Sequence, residues 1–285
     1  MISDTLPFNR NANNRAESEQ IWRHPLEART TRQNLLEVRQ LTLCFGGVTA
    51  LSGVDLDVVT GDICGLLGPN GAGKTSLFNC ISGYYRPSSG SIHVAGTNVL
   101  EAAPHNMVNL GIARTFQHPT LQPDRTLLDN VLLGGHSTLS GNVLSYLFAL
   151  PKTGREERAL SARARELLDY LGVTDRVQTP AGDLPYGSQK RLEMARALLS
   201  EPKLMLLDEP ASGLTHSEVD ELGELIKKIR TDLGVTVVVV EHHMGLISAI
   251  TDHVVALVTG EKVAEGTARE VQSDPVVISA YLGAA

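Results

Sequence analysis

Two stretches near the start of the chain alternate apolar and polar side chains: LLEVRQLTLCF, from Leu35 to Phe45, and LSGVDLDVV, from Leu51 to Val59. A period of two marks a strand with one buried face, and both are expected to be strands. Later runs are short and apolar throughout. ICGLL leads into a glycine-rich loop, and KLMLLD, VTVVVV and HVVALV follow further on. Such runs, interleaved with helical patterns, point to parallel strands covered on both faces. SIHVAG and GIART read as further strands.

The helical patterns fall between these runs. A helix is expected from Lys74 to Ser82. The middle of the chain, roughly 118 to 185, is helical in pattern. TLLDNVLLG and EERALSARARELLDYLG are its clearest helices, the second ended by Gly172. HSEVDELGELIKKIRTDLG and MGLISAITD are helices between later strands. LPYGSQKRLEMARALL, Leu184 to Leu199, reads as a helix from Gln189, with Leu192, Ala195, Leu198 and Leu199 on one stripe. The Pro-Tyr-Gly-Ser turn before it leaves backbone amides pointing out of the helix start, an anion site by geometry and dipole. Residues 1–34 are polar and without period, and a mobile extension is expected there, with Trp22 as its one candidate anchor. Residues 35–285 then form one domain.

Composition narrows the class. A net charge of −7 argues against a nucleic-acid partner. Cys44, Cys64 and Cys80 lack metal-ligand spacing and sit in or beside apolar runs, so buried, reduced thiols are expected. No run approaches the ~20 apolar residues that span a bilayer, and the N-terminus lacks the apolar core of a signal peptide. The protein is expected to be soluble, or peripheral on something membrane-bound.

The chemistry concentrates at three points. GPNGAGKT, Gly68 to Thr75, matches G-x-x-x-x-G-K-[ST] and stands between an apolar strand and a helix, the context that motif requires. Its glycines let backbone amides curl around phosphate oxygens, Lys74 adds a positive charge, and the Thr75 hydroxyl can ligate Mg2+. LMLLDEP ends a strand with Asp208, placed to reach the metal's water shell, followed by Glu209, a candidate base for a water in line with a leaving phosphate. VVVVEHH ends another with Glu241, His242 and His243, and Gln117 follows GIARTF. His242 can touch a terminal phosphate. Considered alone, His242 and Gln117 are weak signals.

In this order the motifs resemble the nucleotide-binding domain of ATP-binding cassette (ABC) transporters, from about Leu35 to Leu282. The resemblance implies a P-loop nucleotide hydrolase of α/β class: a mainly parallel sheet, an N-terminal antiparallel β-subdomain, and an α-helical subdomain inserted at about 117–185. It implies ATP and Mg2+ as ligands. Phe45 matches the aromatic residue that stacks on adenine. Gly68, Asn70, Gly71, Ala72, Gly73, Lys74, Thr75 and Ser76 match the phosphate-binding residues. Thr75, Gln117 and Asp208 match the metal positions, and Glu209, His242 and Gln117 the catalytic ones. In SGLTH, Thr215 stands where the family usually has aspartate.

Within that family, RTFQHPTLQPDRTLLDNVLLG, LPYGSQKRLEMARAL, EHHMGLI and AEGTAREVQSDPVVISAYLG are most similar to an ATPase subunit of branched-chain amino acid importers. That likeness implies two permease transmembrane subunits, a second, different ATPase subunit and an extracytoplasmic binding protein. The location it implies is peripheral, on the cytoplasmic face of the cell membrane. Amino acids are the expected solute, with urea, amides or another small polar solute as alternatives. A soluble ABC ATPase of translation or DNA repair would carry two cassettes or long coiled coils, and neither is present. A regulator without turnover is disfavoured by Glu209 and His242. In the family, two ATPase domains face each other, and the usual signature Leu-Ser-Gly-Gly-Gln contacts the ATP held by the partner. Here it reads Leu184, Pro185, Tyr186, Gly187, Ser188. Tyr186, Gly187 and Ser188 are left to meet the partner's terminal phosphate, because Pro185 has neither hydroxyl nor N–H.

Overall fold

The computed structural model describes residues 33–138, 151–173 and 177–282. The expected extension and Trp22 fall on residues 1–32, outside the described residues. Asn34, assigned to that extension from sequence, is instead the first residue of a strand.

The two alternating stretches form long antiparallel strands, β1 (Asn34–Phe45) and β2 (Val48–Val59). Their inward residues, among them Leu36, Val38, Leu41, Val54 and Leu56, are fully or almost fully buried. β4 (Ser89–Val94) and the two-residue β5 (Thr97–Asn98) complete a four-stranded antiparallel sheet in the order β2-β1-β4-β5.

The apolar runs form a second sheet. Its strands are β3 (Ile63–Leu67), β6 (Ile112–Thr115), β7 (Leu204–Asp208), β8 (Thr236–Val240), β9 (His253–Val258) and β10 (Glu261–Gly266). The order is β10-β9-β3-β8-β7-β6, parallel except where β10 turns back on β9. Every residue of β3, β7 and β8 is buried, as strands covered on both faces must be.

Eight α-helices are described. α1 (Lys74–Ile81) follows the glycine loop. α2 (Leu127–Leu132), α3 (Pro151–Tyr170) and α4 (Tyr186–Leu198) build the helical part. α5 (His216–Leu233) follows β7, and α6 (Met244–Ile250) joins β8 to β9. α7 (Ala268–Ser273) and α8 (Pro275–Leu282) end the described chain. Two apolar clusters result. One joins the helical part and α5 to one face of the parallel sheet, and the other lies between that sheet's opposite face, α1 and the antiparallel sheet.

Two expectations need correction. α4 starts at Tyr186, not Gln189, with Pro185 as its N-cap. Proline's fixed φ suits entry into a helix, so the turn read from Pro-Tyr-Gly-Ser becomes the first helical turn. Cys44 is exposed, while Cys64 and Cys80 are buried. Cys44 lies near the free end of β1, beyond the reach of the core.

Candidate active site

The parallel strands β3, β7 and β8 lie side by side, and their carboxyl ends open on one edge of the sheet. In open α/β sheets, ligands bind outside those ends. The glycine loop leaves β3, Asp208 and Glu209 close β7, and Glu241 and His242 follow β8. One edge thereby collects residues separated by more than a hundred positions.

The loop's shape follows from its glycines. Gly71 and Gly73 hold φ of 80° and 98°, in the left-handed region. A Cβ on Gly73 would lie 2.7 Å from the Ala50 carbonyl oxygen, and one on Gly68 2.2 Å from that of Leu257, whereas at Gly71 it would meet open space. The loop is packed tightly behind and open in front. No side chain caps α1, so its first amides face that opening with the helix dipole behind them. Lys74 Nζ donates to the carbonyls of Gly68 at 2.6 Å and Pro69 at 3.0 Å. Burial holds the Lys74 ammonium below the usual lysine range, and Glu209 and Asp208 oppose that shift. A buried cation beside an uncapped helix start can bind a polyphosphate. Asn70 and Thr75 are exposed on the same loop, Ser76 is half-buried, and Ala72 is buried with its carbonyl accepting from Gly260 N at 3.0 Å.

Phe45 stands at the end of β1, 47% exposed. The Tyr85 ring meets it edge-on, with centroids 5.1 Å apart. Two adjoining aromatic rings at the surface can grip a flat base. Tyr85 was not singled out from sequence.

Glu209 is the centre of the polar network. It sits at φ 46°, an unusual conformation for a non-glycine residue. One carboxylate oxygen accepts from Gln117 Nε2 at 2.6 Å, and the other is 2.9 Å from His242 Nε2. A carboxylate only accepts, so this arrangement needs the proton on His242 Nε2. Glu241, 3% exposed, organises the backbone on both sides. Its Oε1 accepts from Ala211 N at 2.6 Å, and its Oε2 from His242 N at 2.9 Å and His243 N at 3.2 Å. His243 caps α6, accepting from Leu246 N.

Two buried cations were missed in the sequence. Arg114, on β6, pairs with Asp208 at 2.8 Å and donates to Asn79 Oδ1 and Ser82 Oγ at 2.7 and 3.0 Å. Its guanidinium also lies near the rings of Phe78, Tyr84 and Phe116. Lys190, on α4, donates to the carbonyls of Gln117 at 2.9 Å and Glu209 at 3.2 Å. Burial lowers its pKa, against Glu193, Glu241, Glu209 and Asp208, which raise it. The available signal was a charge inside a buried strand for Arg114, and a lysine two places past Ser188 for Lys190.

At the start of α4, the Tyr186 hydroxyl donates to the Gln117 carbonyl at 3.4 Å, and Gly187 is pressed against Glu218, where a Cβ would lie 2.7 Å from Oε1. Ser188 is half-buried in the same first turn. No side chain caps this helix start either. Thr215 serves as the N-cap of α5 in a capping box with Glu218. A groove of about 440 Å³ opens where the helical part meets the sheet, lined by Tyr84, Met107, Arg114, Phe116, Arg196 and Ala197 among others.

A phosphate loop at the end of a parallel sheet, with acidic residues on the neighbouring strand ends, defines a P-loop nucleotide hydrolase. Residues 51–212 match the model of the ABC transporter family, and residues 261–285 that of the branched-chain amino acid ATP-binding cassette transporter. The chain is 41% identical to the high-affinity branched-chain amino acid transport ATP-binding protein BraF of Pseudomonas aeruginosa, over 88% of this chain and 98% of that protein. It is 37% identical to the corresponding protein LivG of Escherichia coli, over 89% and 99%. The crystal structure of the ADP conformation of MJ1267, an ATP-binding cassette of an ABC transporter, superposes with a TM-score of 0.77 at 29% identity, covering 88% of this chain and 99% of that one. The chain belongs to the ABC transporter family. It is an ATP-binding, ATP-hydrolysing subunit of such a transporter. No described helix is long and apolar enough to cross a membrane.

Proposed function

We propose that this subunit energises the import of branched-chain amino acids and that hydrolysis occurs at Glu209. The substrate rests on the names of the relatives. The mechanism rests on one observation above all: the Glu209 carboxylate is held between Gln117 and His242.

In this reading Phe45, with Tyr85 behind it, stacks on adenine. The amides of Gly68–Thr75 and the Lys74 ammonium bind the phosphates, and Asn70 and Ser76 flank them. Lys74 leaves the Gly68 and Pro69 carbonyls for the phosphates. Glu209 orients a water and takes its proton, while His242 and Gln117 fix the carboxylate. Mg2+ fits the donor set. The described residues hold no cluster of three His, Cys, Asp or Glu side chains for a metal. Thr75, Gln117 and Asp208 supply the few oxygen donors that Mg2+ uses when nucleotide phosphates complete its shell. When bound, the ion neutralises charge on the transferring phosphate.

The partners proposed are two permease subunits, a second, different ATPase subunit, and an extracytoplasmic binding protein acting indirectly. No nucleic acid is involved, and the subunit sits on the cytoplasmic face of the membrane through the permease. Residues 35–285 act as one ATPase domain, with the helical subdomain of about 117–185 turned toward the permease. The groove beside Phe116 receives a short permease helix. Tyr186, Gly187 and Ser188 face the terminal phosphate of the partner's ATP.

The test is ATP hydrolysis by the assembled transporter. Binding protein loaded with leucine, isoleucine or valine should stimulate it, and urea or an amide should not. Stimulation by urea alone would replace the proposed solute. Cysteines at His118 or Leu121 should crosslink to the permease in a nucleotide-dependent way.

A further inference from the structure

We propose that Tyr281, on α8, is a positioning residue of the phosphate loop and couples the C-terminal helix to nucleotide binding. The proposal rests on the reading of Gly68–Thr75 as that loop.

Gly68 is the loop's first residue, and its N–H donates to the Tyr281 hydroxyl oxygen at 3.0 Å, a contact between residues 213 positions apart. The carbonyl of the same residue accepts from Lys74 Nζ at 2.6 Å. Tyr281 and Lys74 therefore hold the two polar groups of one residue. The next residue, Pro69, has no amide hydrogen, so the backbone cannot pass this anchoring on to the next N–H. Gly68 is also confined sterically by the Leu257 carbonyl. A second anchor comes from the turn between β9 and β10, where Gly260 N donates to the Ala72 carbonyl. The back of the loop is thus supported by the C-terminal unit, from β9 to α8.

Ring and hydroxyl of Tyr281 do separate things. The ring packs on the main apolar cluster, and the hydroxyl reaches the loop. Burial pushes the phenol upward in pKa, so it stays neutral at physiological pH. Removing the oxygen alone leaves a half-enclosed amide without its acceptor. The peptide that must stay in place when Lys74 turns to the phosphates is then free to tilt. Coupling of this kind is reciprocal: if α8 stabilises the nucleotide-ready loop, nucleotide stabilises α8 to the same degree.

The experiment uses the full chain and its Tyr281→Phe variant, titrated with a fluorescent ATP analogue in Mg2+. The variant is expected to bind roughly threefold to tenfold more weakly, and its unfolding midpoint without nucleotide should fall by only about a few degrees, so that it remains folded during the titration. Hydrogen exchange in α8 should slow on adding ATP to the parent chain, and much less in the variant. Equal affinity in parent and variant, or α8 exchange that ignores ATP in the parent, would overturn the proposal. Lys74→Ala serves as the separate control. If it binds ATP as the parent does, the phosphate-loop reading fails, whatever Tyr281 does.

Discussion

Glu209 and His242 follow the ends of neighbouring strands and meet at 2.9 Å between Oε1 and Nε2. Their chain positions differ widely, but β7 and β8 are paired, with Asp208 beside Val240. Gln117 holds the other oxygen of the same carboxylate. Both oxygens of the proposed base are thus held by neighbouring side chains. Glu209→Gln should keep ATP affinity and lower hydrolysis by at least about a hundredfold, because an amide cannot take the water's proton. His242→Ala should also slow hydrolysis at unchanged affinity. Phosphate release by the assembled transporter, beside nucleotide titration, checks both.

Lys190 ties α4 to the backbone of both Gln117 and Glu209. Lys190→Met keeps the stem and deletes the charge, leaving two carbonyls without their donor at a cost of about 1–3 kcal/mol in stability. Hydrolysis at saturating ATP should fall about tenfold or more, since each 1.36 kcal/mol lost at the transition state is tenfold in rate. The affinity for ATP should stay within about twofold, because the ammonium bonds protein carbonyls and no loop amide. Melting curves and a comparison of kcat with KM separate the two effects.

Pro185 caps α4 without a side-chain hydrogen bond. The helix start proposed to face the partner's ATP therefore has no hydroxyl at its N-cap. One hydrogen bond to a charged phosphate contributes about 1.5–3 kcal/mol, roughly tenfold to a hundredfold in equilibrium. In the Glu209→Gln background, where ATP persists, Pro185→Ser should strengthen ATP-dependent self-association in ultracentrifugation. Equally tight association with Pro185 intact would remove the reason for pairing with a different subunit.

Of the three cysteines, Cys44 is exposed and Cys64 and Cys80 are buried. Burial pushes the Cys80 thiol up to about 11, and Cys64 shifts in the same direction for the same reason. The thiolate is the reactive form. Under native conditions at pH 8, a maleimide should add once, at Cys44, and all three sites should react after unfolding in guanidinium. Intact-mass spectrometry counts the additions.

Most of the architecture was legible in hydrophobic period. Alternation marked β1 and β2, and uninterrupted apolar runs marked β3, β7, β8 and β9, because burial on one face or two leaves those different patterns. The phosphate loop was legible because its glycines are needed for backbone shape. Two boundaries misled. Pro-Tyr-Gly-Ser reads as a turn, but Pro185 serves as an N-cap and the next three residues are helical, and Cys44 belongs to an apolar run yet lies where β1 leaves the core. Arg114, Lys190 and Tyr281 were not legible as site residues. Their roles depend on partners 94, 73 and 213 positions away, and no local pattern carries such pairings.

The most direct test of the central claim is leucine uptake into vesicles holding the permease, the second ATPase subunit and this chain, with binding protein outside and ATP inside. The parent chain should drive uptake of radiolabelled leucine together with phosphate release. The Glu209→Gln chain should bind ATP equally well and drive neither. Uptake at the parent rate with Glu209→Gln would contradict the account, because the carboxylate between Gln117 and His242 would then not be the base that powers transport.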